Sequence, residues 1–371
     1  MRIFILTLGT RGDLEPFWAM GRSLQARGHA VTIGTSEFHI KKDPSVTWVN
    51  IGNSTQAEFI AFLRSLAAEP DRLERTMAFG RRWAMPQVAF SMKTIASLAM
   101  QHDYFMGNLK FPLTRGGVVL PGAYVTYDPP PSLDAAKANG SHTHEGRTLE
   151  LVAMNRELID PQHEWDEYFH FTGFWQPLVD KLPRPSDLEG FLATGSAPVV
   201  LTMGSMVMFD PQKLADCFFK ALELCDLRGI IVGGWSDQRC GMHPSGRMMT
   251  VKEADYSWLF EHAACVVHHG GVGTVASVLR AGIPSVLLPQ IPSQERWGAI
   301  LEREGLCAGV LDTASLEPDQ LAAALRRAVQ DLSLRQSAQQ WRTRLNRDTS
   351  IARAADLIEA HWAKLCGHGG V

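Results

Sequence analysis

Residues 266–289 constrain this chain more than any other stretch. An apolar run ends at His268, and His269, Gly270, Gly271 and Gly273 crowd the positions that follow. An amphipathic pattern continues to Arg280, is stopped by Gly282 and Pro284, and gives way to a second apolar run through Leu288. That order reads as a buried strand, a glycine-rich turn, a helix opening near Gly273 and Thr274, and a second buried strand. The first-turn amides of such a helix have no intrahelical partner and the helix dipole turns its positive end outward, so an anion such as phosphate can settle there. Glycine lets the backbone approach that anion closely. A histidine beside it can donate a hydrogen bond and, when protonated, supply a charge. His268 can equally be a packed strand end, with the glycines serving only the turn.

A length of 371 residues leaves room for two domains of ordinary size. Hydrophobic residues at 45% and charged residues at 20% are globular values, and a net charge of −3 gives no reason to expect nucleic acid or an anionic membrane as the main partner. The apolar run at residues 2–8 is too short for a membrane span and no small-residue cleavage site follows it, so it reads as a first strand. All six cysteines lie in the second half without a C-x-x-C pair. That is the pattern of reduced, buried thiols in a cytoplasmic protein. No metal-ligand spacing and no Asp-x-Asp pair able to hold a divalent ion against a diphosphate is found, so neither a metal nor another cofactor is expected.

Along the chain, residues 2–8 predict a strand, 9–12 a turn, 15–25 an amphipathic helix and 30–35 a second strand. Residues 46–51 predict a third. Thr55 and Glu58 form a capping box for a helix ending before Pro70. Residues 72–101 are helical in pattern, rich in Met, Phe and Trp and interrupted at Pro86; such a stretch is core more often than binding wall, but an exposed Met and aromatic surface would suit an apolar ligand. Residues 104–131 say least, and 128–131 form a stiff proline connector. Prolines at 177, 183, 185 and 198 mark a boundary. Beyond it strands alternate with helices again, and three helical stretches close the chain. This predicts an α/β protein with two facing doubly wound parallel-sheet domains, Rossmann-like. The expected division is 1–178, a linker at 179–197, and 198–371, with the last helix packing back on the first domain.

Ligands of open α/β sheets bind beyond the carboxyl ends of the strands. The strand ends here carry Gly9 to Asp13, Gly204 with Ser205, Gly233 to Ser236, and the histidine-glycine turn. Together with Phe171 to Trp175, Leu201 to Met206, Trp258 to Phe260, and Arg280 to Pro284, these motifs resemble those of nucleotide-sugar-dependent glycosyltransferases of the GT-B fold. The resemblance is to the family 1 branch that holds antibiotic and sterol glycosyltransferases. It spans almost the whole chain and is weakest at residues 72–155.

The resemblance implies a donor site in the second domain and an acceptor site in the first. Arg11, Gly12, Ser205, His269, Gly271, Gly273 and Thr274 would hold the diphosphate, Trp235, Ser236 and Tyr256 the base or ribose, and Ser293 and Gln294 the sugar. Asp13 matches the position of the general base that takes the acceptor's proton. It can also merely cap the helix before Pro16, which would lower its pKa and weaken it as a base. Met77, Phe79, Trp83 and Met85 are the acceptor-binding candidates. The co-substrate would be a UDP- or dTDP-sugar, bound without metal because helix amides and a histidine neutralise the leaving diphosphate.

Three departures stand out. The family has an Asp-Gln pair where this chain has Ser293 and Gln294, and a serine cannot clamp two vicinal hydroxyls as a carboxylate does. Asp255 and Tyr256 stand where the family tends to carry Pro-His, and residues 103–155 look shortened. The expected activity is inverting transfer of a hexose or deoxyhexose to a hydroxyl of a hydrophobic small molecule, a natural product, sterol or lipid, with peripheral membrane contact open. A nucleotide-sugar epimerase on the same fold, and a weakened nucleotide-binding auxiliary protein, are the rival readings. A dehydrogenase is disfavoured because the first turn lacks a compact Gly-x-Gly-x-x-Gly.

Overall fold

In a computed structural model of the chain, the apolar runs of the first half line up as one parallel sheet. The structure describes all residues except 8, 70, 108–113, 116–117, 120–121, 127–146, 160–168, 176–183, 206–209, 235–239, 346–348 and 368–371. Its strands are β1 (Arg2–Leu6), β2 (Ala30–Thr35), β3 (Thr47–Asn50), β4 (Tyr104–Gly107), β7 (Gly122–Thr126), β8 (Thr148–Val152) and β9 (His170–Phe171), in the order β3-β2-β1-β4-β7-β8-β9. Ile3, Phe4, Ile5 and Leu6 are all within 1% of full burial. A strand covered on both faces needs such a continuous apolar run rather than an alternating one. Among the described residues between β4 and β7, the chain carries a short antiparallel pair, β5 (Thr114–Arg115) with β6 (Val118–Val119). A parallel crossover usually carries a helix there.

The second sheet is built from β10 (Val199–Thr202), β11 (Gly229–Val232), β12 (Gly241–Met242), β13 (Met248–Val251), β14 (Cys265–His268), β15 (Ser285–Leu287) and β16 (Cys307–Val310). Their order is β12-β13-β11-β10-β14-β15-β16, parallel except where β12 joins β13. Neighbouring strand residues face opposite sides, as the two-residue strand period requires. Val199, Leu201 and Val267 pack with Phe218, Leu222 and Leu325 on one face, while Val200 and Val266 pack with Leu259, Phe260 and Val278 on the other.

The chain divides into two compact units and passes between them four times. One comprises Met1–Phe59, Ala78–Leu178 and Asp348–Val371; the other comprises Ile60–Met77 and Val179–Arg347. The last helix, Ser350–Gly367, puts Ala354, Ala355 and Ile358 into the first unit's core. Arg27 clasps its Asp356 and Glu359 at 2.6 and 2.9 Å. No described helix is long and apolar enough to cross a membrane.

Three local expectations are corrected. The first helix runs Arg11–Ala26, beginning before residue 15, because Thr10 is its N-cap and Asp13 reaches back to it. Within residues 72–101 the break falls not at Pro86, which lies in the first turn of the Met85–Gln101 helix where its missing N–H is harmless, but at a π-helical turn, Gly80–Ala84. Of the six thiols, Cys217, Cys265 and Cys307 are buried, whereas Cys240 and Cys366 are exposed. Cys366 lies in the last turn of the terminal helix and Cys240 adjoins the exposed edge strand β12.

Candidate active site

In each sheet some of the predicted residues lie where the strand order reverses, the point at which open α/β sheets bind ligands. In the first sheet that point lies between β1 and β4, and the turn after β1 carries Gly9 to Asp13. Asp13 Oδ2 accepts the Thr10 backbone N–H at 2.7 Å and the Thr10 hydroxyl at 3.1 Å. Asp13 as a residue is half-buried, yet its carboxylate is deep enough that burial pushes its pKa above the ordinary value, against the opposing pull of the Thr10 hydrogen bonds. A capping carboxylate was expected to be lowered; here desolvation outweighs the cap.

Gly9 holds φ +134°, and a β-carbon on it would overlap the Asp13 carboxylate. Its carbonyl accepts a hydrogen bond from His39 Nε2 at 3.1 Å. Burial pushes His39 down to about 4, so it is a neutral donor at pH 7. Sequence reasoning missed His39, which lies beyond β2 and carries no motif. Arg11, expected at the diphosphate, binds Glu15 at 2.8 Å, and Gly12 next to it is exposed.

In the second sheet the reversal lies between β10 and β14, whose last residues, Thr202 and His268, are register partners. The turns that follow therefore run side by side, bringing Ser205 and His269 to one rim. The His269 ring fills space that glycines leave free. A β-carbon on Gly204 would lie 2.8 Å from its Cε1, and one on Gly271 would overlap its Nε2. Its Nδ1 is sealed without a partner, which leaves Nε2 as the nitrogen a ligand can reach. His268 is fully buried and its Nδ1 accepts the Gly270 N–H at 3.1 Å, so of the two histidines His268 shapes the turn.

Burial pushes His269 down to about 4 and His268 to about 3. The charge that a protonated histidine could bring is therefore absent at pH 7 from the chain as it stands. The positive potential comes from the opening of the Val272–Ala281 helix, N-capped by Gly271, with Gly273 and Thr274 in its first turn. A β-carbon on Gly273 would meet nothing within 4 Å.

Gln294 packs against this turn, its carbonyl oxygen 3.1 Å from where a Gly270 β-carbon would lie. Its Oε1 accepts the Gln290 N–H at 2.7 Å, so its amide N–H groups are what it can offer a sugar. Ser293 is half-buried in the first turn of the Pro292–Arg303 helix. Tyr256 stacks on Phe260 and its hydroxyl bonds Thr202 Oγ1 at 2.6 Å, which in turn accepts the Gly204 N–H. Trp235 and Ser236 lie outside the described residues, as does the proline connector at 128–131. Among the described residues no group of three or more His, Cys, Asp or Glu is placed to hold a metal.

The acceptor candidates differ in exposure. Met77 and Met85 are 39% and 65% exposed, and Phe90 and Met92 join them at the surface. Phe79 and Trp83 are half-buried and meet Phe59 at 6.4 and 4.7 Å between ring centroids. Phe38 stacks on Phe59 and touches His39, so an aromatic series leads from Trp83 to the residue that bonds Gly9.

Two Rossmann-like parallel-sheet units, the second with a glycine turn ahead of a helix, are the architecture of the GT-B fold. Family comparisons agree: residues 3–102 match the glycosyltransferase family 28 N-terminal domain, and residues 245–358 match the C-terminal domain of the erythromycin biosynthesis protein CIII-like family. The chain is 28% identical to O-mycaminosyltylonolide 6-deoxyallosyltransferase of Streptomyces fradiae, over 98% of both chains. That alignment spans 438 positions against 371 residues here, so at least 67 positions of the relative have no counterpart. Sterol 3-beta-glucosyltransferase of Arabidopsis thaliana is 22% identical over 97% of this chain and 66% of its own length. The crystal structure of the glycosyltransferase SnogD from Streptomyces nogalater shares the fold, with a TM-score of 0.65 at 18% identity over 97% of this chain and 99% of that one. The chain is a glycosyltransferase of GT-B fold, similar over nearly its whole length to antibiotic and sterol glycosyltransferases.

Proposed function

We propose that the protein is an inverting glycosyltransferase that moves a hexose or deoxyhexose from a UDP- or dTDP-sugar to a hydroxyl of a hydrophobic small molecule, a natural product, sterol or lipid. The observation that carries this reading is Asp13, a desolvated carboxylate with a raised pKa at the reversal point of the first sheet. Inversion requires one base: the acceptor oxygen attacks the anomeric carbon, the bond to the diphosphate breaks from the opposite face, and the hydroxyl proton passes to Asp13. On the donor side the amides opening the Val272–Ala281 helix and His269 Nε2–H receive the departing diphosphate. Ser205, Gly271, Gly273 and Thr274 complete that cradle, with Arg11 and Gly12 assigned to the same group. Tyr256 serves the base or ribose beside Trp235 and Ser236. Ser293 and Gln294 face the sugar, and Met77, Phe79, Trp83 and Met85 the acceptor.

The names of the relatives support a deoxygenated or neutral hexose and an apolar acceptor. A surface of exposed Met and Phe supports the apolar acceptor independently. Replacing Asp13 with Asn is expected to abolish turnover while leaving UDP or dTDP binding, measured by calorimetry, intact. Unchanged turnover would remove Asp13 as the base. Incubation with a nucleotide sugar alone is expected to yield no epimer, which separates transfer from epimerisation.

A further inference from the structure

A short arm of the first half of the sequence is built into the donor-binding unit. Residues Ile60–Met77 group with that unit by their contacts, although both flanking stretches belong to the other. Arg75, in the Arg72–Phe79 helix, makes the connection specific. Its Nε and Nη2 donate to the Glu69 carbonyl, which anchors the guanidinium to its own arm, and its Nη1 donates to the Gln290 carbonyl at 3.0 Å.

Gln290 lies in the loop between β15 and the Pro292–Arg303 helix. Its side-chain amide donates to Leu288 O, Pro289 O and Thr313 Oγ1, and its backbone N–H donates to Gln294 Oε1 at 2.7 Å. The backbone of Gln290 is thus held by Gln294 at its N–H and by Arg75 at its carbonyl. The same loop presses on the anion turn through the Gly270–Gln294 contact. A cation donating to a carbonyl makes a stronger and more directional bond than a neutral donor.

We infer that Arg75 is a positioning residue for the donor sugar: it fixes the Gln290–Gln294 loop, so that sugar recognition here depends on a helix encoded far from the donor motifs. The inference rests on the assignment of Ser293 and Gln294 to the sugar. Without an aspartate at 293, fewer bonds define the sugar's seat, and the loop's own position carries more of the selectivity. The bonds of Arg75 to Glu69 stay on its own arm and its bond to Gln290 ends on the loop assigned to the sugar, so its effect belongs to sugar affinity and not to the chemical step.

The test uses the full-length chain with UDP-glucose and dTDP-glucose, comparing wild type, Arg75→Ala, Arg75→Lys, Gln294→Ala and the Arg75→Ala/Gln294→Ala double variant. Arg75→Ala is expected to raise KM for the nucleotide sugar about tenfold, the effect of losing one charge-assisted hydrogen bond. kcat and the inhibition constants of free UDP and dTDP should stay within about twofold. Arg75→Lys, which keeps one donor for the Gln290 carbonyl, should recover part of the loss. The double variant should be no worse than Gln294→Ala alone. Equal weakening of nucleotide and nucleotide sugar, additive effects of the two substitutions, or a lowered melting temperature with unchanged KM would each overturn the positioning role. A wild-type chain that binds neither UDP-glucose nor dTDP-glucose would instead overturn the donor assignment itself.

Discussion

The carboxylate of Asp13 lies in the space that a β-carbon on Gly9 would occupy. The turn after β1 is therefore shaped around that carboxylate: Gly9 yields the room, Thr10 supplies two donors to one oxygen, and His39 ties down the Gly9 carbonyl. Replacing Gly9 by Ala forces both a side chain into the carboxylate and an L-residue into φ +134°. Strain of this kind costs about 1–3 kcal/mol. The expected result is a lower urea midpoint together with at least a tenfold loss of kcat, as the base is displaced.

Asp13→Asn is expected to trade activity for stability. An acid whose pKa is raised by folding holds its proton more tightly in the native state, so its contribution to stability declines as pH rises from the ordinary carboxylate value through the folded one. At pH 7 the native chain carries the cost of a buried carboxylate. The amide can still accept from Thr10 without that charge. Thermal unfolding at pH 7 should therefore show the inactive variant to be more stable, by on the order of 1 kcal/mol, with the gap closing below pH 4.

Gly273 separates a structural glycine from one kept for a ligand. It sits in the first turn of a helix with open space where its side chain would be. Alanine there should stabilise the protein by about 0.4–1 kcal/mol. If phosphate oxygens approach this turn, the same methyl group should weaken UDP or dTDP binding severalfold. Calorimetry on Gly273→Ala showing unchanged affinity would move the diphosphate away from this position.

Acid should destabilise the fold well above the carboxylate range. His39, His268 and His269 have folded pKa values pushed down to about 4, 3 and 4. The unfolded chain takes up protons on all three near pH 6.5 while the native chain does not, so stability is lost as pH falls from 6.5 toward 4. Each contributes a slope of up to about 1.4 kcal/mol per pH unit. Urea unfolding between pH 6 and 4.5 should show this slope, and His268→Asn, which can still accept from Gly270, should flatten it by one residue's share.

The exposed methionine and aromatic surface should matter to ligands and not to folding. Met85→Gln and Phe90→Gln alter side chains that are 65% and 63% exposed, so unfolding free energy should stay within about 0.5 kcal/mol of wild type. KM for a hydrophobic acceptor should rise severalfold, with KM for the nucleotide sugar unmoved. A loss of stability instead would mean that this surface packs against the protein.

Strand and helix alternation, the glycine turn at His269 and the capping box at Thr55 were legible because each is a local pattern, written within a few residues by side-chain period or by a cap. Strand ends matched closely for the same reason: β2 is found at Ala30–Thr35 and β11 at Gly229–Val232, where the apolar runs lie. What local pattern could not convey is which groups distant in sequence cover a given side chain. Desolvation of Asp13 comes from packing around the turn and reverses the pKa shift its capping role suggests. Exposure of Met85 depends on how the rest of the described residues pack, which its helical period cannot report. The bond from Arg75 to Gln290 joins residues far apart in the chain.

The turn at residues 268–274 shows both contributions. Its glycines and histidines mark, in the sequence, a candidate anion turn whose residues could equally serve packing. Their roles separate only in three dimensions, where His268 turns inward to hold Gly270, and His269, framed by Gly204 and Gly271, keeps one nitrogen for a ligand. The division follows from the register of β10 on β14, which puts a second glycine turn beside the first.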